Sequence, residues 1–162
     1  MSTPIESTRK VDLLLAEYGS SHKNKVNKTI HWICVPLIFF SIFGILRSIP
    51  TPTVFDQVPY LSWASIILVL ALVYYVTLSF PLTLGFILFT SIVAIGNEYL
   101  FSIGRIYLLI TSLLIFVLAW IGQFIGHGVE GKKPSFLKDL QFLLIGPAWL
   151  MHFVYKKIGI RY

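Results

Sequence analysis

Four long apolar stretches, each with at most one charged residue, decide what this chain can become. They run from Ile30 to Ile49, from Tyr60 to Phe80, from Leu82 to about Phe101, and from Ile103 to Ile125. A helix needs about 20 apolar residues to cross a bilayer, and only helices or closed barrels satisfy their backbone in hydrocarbon. None of the stretches alternates as a strand would, so each is predicted as a transmembrane helix. A fifth apolar run, Phe136 to Ile158, carries Gly146-Pro147 at its middle. Proline lacks an N–H and clashes with the preceding turn, so this run is predicted to be broken there.

Charge content agrees with a membrane setting. The chain of 162 residues is 56% hydrophobic and only 12% charged, against about 25% charged in an ordinary soluble domain. The fold class expected is therefore all-α: a polytopic membrane helical bundle of four transmembrane helices plus the Gly-Pro-broken fifth segment. It forms one integral membrane domain over residues 1–162, with a polar segment at 1–29 and the bundle at 30–162. The polar segment does not read as a cleaved signal peptide, because no apolar core follows its first charges. Within it, residues 11–18 have the pattern of a short amphipathic helix, suited either to the headgroup region or to packing on the bundle. The single cysteine, Cys34, excludes an internal disulfide and lies in an apolar run as a small buried hydrophobe.

The distribution of cations orients the bundle. Arg9, Lys10, Lys23, Lys25 and Lys28 precede the first run, and Lys132, Lys133 and Lys138 follow the fourth. Four crossings place both groups on one side, leaving Arg47 and Arg105 on the other. The positive-inside rule makes the N-terminal side cytoplasmic: the endoplasmic reticulum membrane in a eukaryote, the inner membrane in a bacterium. Lys156, Lys157 and Arg161 follow the fifth run. A full fifth crossing would carry them outside, whereas a helix–Gly-Pro–helix re-entrant hairpin or an interfacial helix returns them, and the return is expected. A net charge of +6 thus reflects topology and attraction to anionic lipid and not nucleic-acid binding.

Histidines are the chemistry-bearing feature. His22 and His31 flank the start of the first crossing, and His127 lies at the end of the fourth. If the fifth run turns back, His152 reaches the same face. Ionisable groups at membrane depth are costly and usually mark function, and imidazole is a common ligand of transition metals. Interfacial histidines bonded only to water or backbone are the alternative. Gln123, His127 and Glu130 share one helical face at i−4, i and i+3. Glu130 is a candidate ligand, a candidate acceptor holding the His127 ring, or a solvated helix-end charge. Gly122, Gly126 and Gly128 permit close helix packing or close approach of a ligand. Glu98, at the far end of the third crossing, reads as an interfacial charge beside Arg105. The tryptophans read as interfacial belts or packing. From the residues alone, a metal-dependent lipid oxygenase, a hydrolase or desaturase-like enzyme using the same histidines, and a non-enzymatic lipid-binding or transport protein all remain open. Membrane desaturases, however, carry more histidines in closely spaced boxes.

Two motifs narrow this. Tyr18-x3-His22-x8-His31-Trp32-x3-Pro36 and Gln123-Phe124-Ile125-Gly126-His127-Gly128-x-Glu130-x3-Pro134 together resemble a membrane 2-hydroxy fatty acid dioxygenase family. That family contains the fungal protein of phytosphingosine-to-odd-chain-fatty-acid metabolism and bacterial relatives, and the resemblance covers nearly the whole chain. It implies an enzyme of fatty acid α-oxidation that depends on Fe(2+), uses O2 and converts 2-hydroxy fatty acids to products one carbon shorter. By motif position it implies His22, His31 and His127 as the catalytic iron ligands. His152 and Glu130 stay candidates from the residues themselves. Lys25, after Asn24, departs from the family's pattern.

Overall fold

The computed structural model describes residues 9–131 and 136–162, and side chains for all of these except 136–141. Lys132, Lys133, Pro134 and the Lys138 side chain lie outside the described residues. The described chain is helical, with six α-helices and one short 3-10 turn at Thr53–Gln57. They are α1 (Lys10–Ser20), α2 (Lys25–Ser48), α3 (Trp63–Leu78), α4 (Phe80–Ile103), α5 (Arg105–Glu130) and α6 (Phe136–Ile158).

Three of them, α2, α4 and α5, have the length and apolar composition to cross a membrane. Their outward residues are those lipid requires: Leu88, Ile92 and Ile95 on α4 and Leu114, Leu118 and Ile125 on α5 are all exposed. Exposed apolar surface on this scale marks a membrane-facing wall. The second apolar run gives a shorter helix than expected. At 16 residues, α3 is about 24 Å long at 1.5 Å per residue. Ser79 ends it in extended conformation and accepts from the Leu82 N–H to start α4, with Pro81 in the new first turn, where proline's missing N–H is harmless. At its own start, α3 is fixed by a reciprocal cap between Ser62 and Ser65.

The four helices α2 to α5 run alternately up and down. Asn97 on α4 donates to the Phe40 carbonyl of α2, and Arg47 at the end of α2 pairs with Glu98 near the end of α4, so α2 and α4 are parallel. The most extensive packing is between α2 and α5, and it is antiparallel. A Cβ on Gly44 would lie 2.1 Å from the Ser112 hydroxyl, one on Gly122 would lie 2.6 Å from Cys34 Sγ, and one on Gly126 would lie 2.5 Å from Asn27 Oδ1. Small residues at such a seam let helix backbones approach closely in a membrane. Gly128, by contrast, has nothing within 4 Å of a built Cβ. Cys34 is buried against this seam as a free thiol.

Two expectations need correction. The fifth run does not break at Gly146-Pro147: α6 is one helix from Phe136 to Ile158 with Pro147 inside it. No helix–Gly-Pro–helix hairpin forms. Proline inside a helix is tolerated where neighbouring elements hold the helix. Here the Tyr75 hydroxyl of α3 donates to the Leu144 carbonyl at 2.5 Å, one residue past the Leu143 carbonyl whose usual N–H partner Pro147 lacks. The second concerns Glu98, whose partner is Arg47, with Nε–Oε1 at 2.5 Å, while Arg105 instead lies near the Phe101 ring. The amphipathic segment packs on the bundle. Val11, Leu14, Leu15 and Tyr18, at i, i+3, i+4 and i+7, are its buried stripe, and α1 rests on α6.

Candidate metal centre

Three separate stretches of chain supply the histidines. His22 follows the end of α1, where its backbone N–H still bonds the Gly19 carbonyl. His31 lies two turns into α2, and His127 lies in the last turn of α5. The antiparallel α2–α5 seam sets the start of one helix beside the end of the other. All three rings are buried, at 3%, 1% and 7% exposure respectively. One ring nitrogen from each lies within 4.8 Å of the others, a spacing that small inward shifts bring to the roughly 3–3.6 Å between nitrogens bound to one metal at about 2.1 Å. Among the described residues these three form the cluster suited to a metal ion.

The orientation of two rings comes from the backbone. His22 Nδ1 is 2.6 Å from the Tyr18 carbonyl oxygen, and His31 Nδ1 is 3.0 Å from that of Asn27. A carbonyl only accepts, so each bond places the ring proton on Nδ1 and leaves the Nε2 lone pair available, the arrangement typical of metal-bound histidine. Aromatic contacts complete the positioning. Tyr18 stacks on the His22 ring at 4.2 Å between centroids and 10° between planes, and Trp149 stands 5.3 Å from the same ring. Three imidazole donors, two with the tautomer fixed by a backbone carbonyl, fit a divalent transition metal and leave coordination positions open.

The rings face a small cavity of about 40 Å³. Gln123 and the histidines form its polar side. Val35, Ile38, Phe142 and Leu143 form the apolar side. Gly146 lines it too, for a reason other than helix breaking: a Cβ there would meet Val35 Cγ1 at 3.1 Å and the Tyr18 hydroxyl at 3.3 Å. Glycine lets α6 close the cavity.

Glu130 is not brought into the cluster. Its carboxylate accepts from the backbone N–H groups of Lys23 and Asn24, both at 2.9 Å, and from the Asn27 amide at 3.1 Å. It therefore ties the end of α5 to the loop that follows His22 and the first turn of α2, acting on the histidines through the chain. The structure also keeps His152 apart. That ring bonds the Tyr162 hydroxyl and lines a different surface hollow with Arg9, Asp12 and Lys156. On α6, Trp149 takes the position facing the histidines, and His152 lies three residues further round. Tyr18 and Gln123 already stood in the sequence motifs. Trp149 did not, and helical spacing from Gly146 is the signal that would have found it.

Comparison with known proteins places this geometry. A family model described as Mpo1-like, 2-hydroxy-palmitic acid dioxygenase, matches residues 8–158. The 2-hydroxy-palmitic acid dioxygenase MPO1 of Saccharomyces cerevisiae is 30% identical over 150 residues, covering 90% of this chain and 79% of the yeast protein. No solved structure matches.

Proposed function

This chain belongs to the Mpo1-like family of 2-hydroxy-palmitic acid dioxygenases, and we propose that it is an Fe(2+)-dependent enzyme of α-oxidation that shortens 2-hydroxy fatty acids by one carbon with O2. The observation that carries this reading is the trio of buried imidazoles, two with Nδ1 fixed by backbone carbonyls, opening onto an apolar wall. One molecule of 2-hydroxy acid and one of O2 balance one molecule each of the shorter acid, CO2 and water. The C1–C2 bond breaks, C2 becomes the new carboxyl carbon, and O2 takes up four electrons without a further reductant.

His22, His31 and His127 would hold the iron. Bound there, iron supplies Lewis-acid polarisation of the hydroxyl and carboxylate and activation of O2. Tyr18 and Trp149 keep the His22 ring from rotating. Glu130 holds the loop behind it. Val35, Ile38 and Phe142 keep water from the apolar side. Lys23 and Lys25, exposed beside the entrance to α2, attract the substrate carboxylate. We read α3 as the fourth crossing, because the start of α2 and the end of α5 share one face, and we place that face on the cytoplasmic side.

The test is anaerobic iron loading of detergent-purified protein, followed by 2-hydroxypalmitate turnover in O2. The expected outcome is one iron per chain and an oxygen-dependent product one carbon shorter. Stoichiometric iron without such a product overturns the proposal.

A further inference from the structure

An apolar cleft runs between α2, α3 and α6, beginning where the histidine cavity ends. Leu143 of α6 lines both spaces. On α2, the residues serving the two spaces form one stripe: His31, Val35 and Ile38 at the cavity, then Ile42 and Leu46 in the cleft, spaced four, three, four and four apart as one helical face requires. The opposite wall is α3, where Ala64 and Ala71, seven residues apart, are both buried and keep the space open. Every residue lining the cleft is apolar, and about 70 Å³ lies free between their side chains. Ile67 on its rim is 48% exposed, so the cleft has an open side along the membrane-facing surface.

Resting on the dioxygenase reading above, we infer that this cleft is the acyl-chain site and that Ala71 and Ala64 set the chain length it accepts. The substrate's polar end meets the histidines, its tail passes Leu143, and the terminal carbons lie between Leu46 and Ala64. The tail seats partly in the free space and partly along the open side beside Ile67. Dimensions agree: from His31 to Leu46, α2 rises about 22 Å at 1.5 Å per residue. An extended palmitoyl chain is comparable, at roughly 1.3 Å per methylene from C–C bonds near 1.5 Å. A chain of this kind enters sideways from the bilayer without its tail crossing water.

The experiment measures equilibrium binding of 2-hydroxyoctanoate, 2-hydroxylaurate and 2-hydroxypalmitate to the iron-loaded full chain under nitrogen, so no turnover is needed. Unsubstituted protein should gain affinity with chain length, by up to roughly fourfold per buried methylene. Ala71→Leu, close to the histidine cavity, should weaken laurate and palmitate by about tenfold or more while changing octanoate less than about twofold, because only the outer methylenes lose their site. Ala64→Leu, at the far end, should weaken palmitate alone. Equal loss at all three lengths, or no loss, overturns the assignment. Unsubstituted protein gives a second reading that does not depend on either variant folding. A 2-hydroxypalmitate analogue with a terminal diazirine should photolabel Leu46, Ala64 or Ile67, and label confined to the outer faces of α4 and α5 overturns it. Graded binding with correct labelling but no oxygen-dependent product sinks the dioxygenase reading and leaves the cleft assignment standing.

Discussion

The two ends of the α2–α5 seam use the same packing device for different purposes. At each end a glycine lets the two backbones close on polar side chains. At the far end Gly44 faces Ser112 and Asn97, Asn97 donates to the Phe40 and Val93 carbonyls, and Arg47 and Glu98 neutralise each other. The ion pair and the Asn97 amide fix register, while the Ser112 hydroxyl and Asn97 Oδ1 have no hydrogen-bond partner among the described residues. At the near end Gly122 and Gly126 close on Cys34 and Asn27, but the polar groups gathered there are three imidazoles, two of them with Nδ1 turned to a backbone carbonyl. The far end commits its charges to an ion pair and its Asn97 amide N–H groups to backbone carbonyls. The near end instead collects three imidazoles with a nitrogen of each within 4.8 Å of the others, and that difference separates a packing cluster from one suited to a metal ion.

Substitutions at the two ends should therefore differ in what they disturb. The largest effect is expected from His22→Ala, His31→Ala and His127→Ala made separately: loss of turnover and a fall in iron affinity beyond about 100-fold, the upper range for residues outside the ligand set. Iron analysis after gel filtration reads this, and equal iron retention in all three variants breaks the shared-site model. Glu130→Ala comes next. Freeing the loop after His22 should lower iron affinity about 10- to 100-fold while circular dichroism stays unchanged, and an effect as large as that of His22→Ala would make Glu130 a ligand after all.

Gly126→Ala and Gly44→Ala set the ends directly against each other. Both force a Cβ to within 2.5 Å of a side-chain oxygen, and each should cost about 1–3 kcal/mol of stability by overpacking. Only Gly126→Ala should also lower iron stoichiometry. Loss of iron in both would mean that the seam acts as one rigid unit. The smallest effect is expected from His152→Ala, which should leave iron content unchanged and turnover within about twofold, since surface substitutions away from such features are nearly neutral. A large loss of iron would return His152 to the site.

Much of this contrast was legible in the sequence. Apolar runs located the helices, and cation placement put His22, His31 and His127 on one face before any contact was known. What periodicity could not supply was the pairing of faces. Glu98 had two arginines within reach of the same membrane side, and only the parallel arrangement of α2 and α4 selects Arg47. Gly146-Pro147 was read as a break because proline removes a local hydrogen bond. The contact that ties this stretch of α6 to α3, Tyr75 to the Leu144 carbonyl, spans 69 residues and is invisible to local reasoning. Trp149 was missed for a related reason: its spacing from Gly146 marks one helical face, but in an apolar helix nothing says that this face points inward until its neighbour is known. Glu130 showed its helical face correctly, yet its partners are backbone N–H groups, which no residue pattern records.

The contact of Trp149 with Tyr18 and His22 bears on the order of biogenesis. A ribosome delivers His22 and His31 early and His127 only after three further helices, and Trp149 emerges later still. Until α6 docks, His22 lacks the Trp149 wall that stands beside its ring, so a nascent chain carries the histidine cluster unfinished through insertion. On the iron-enzyme reading proposed above, metal acquisition would follow completion of the bundle, and iron supply would act on molecules already resident in the membrane.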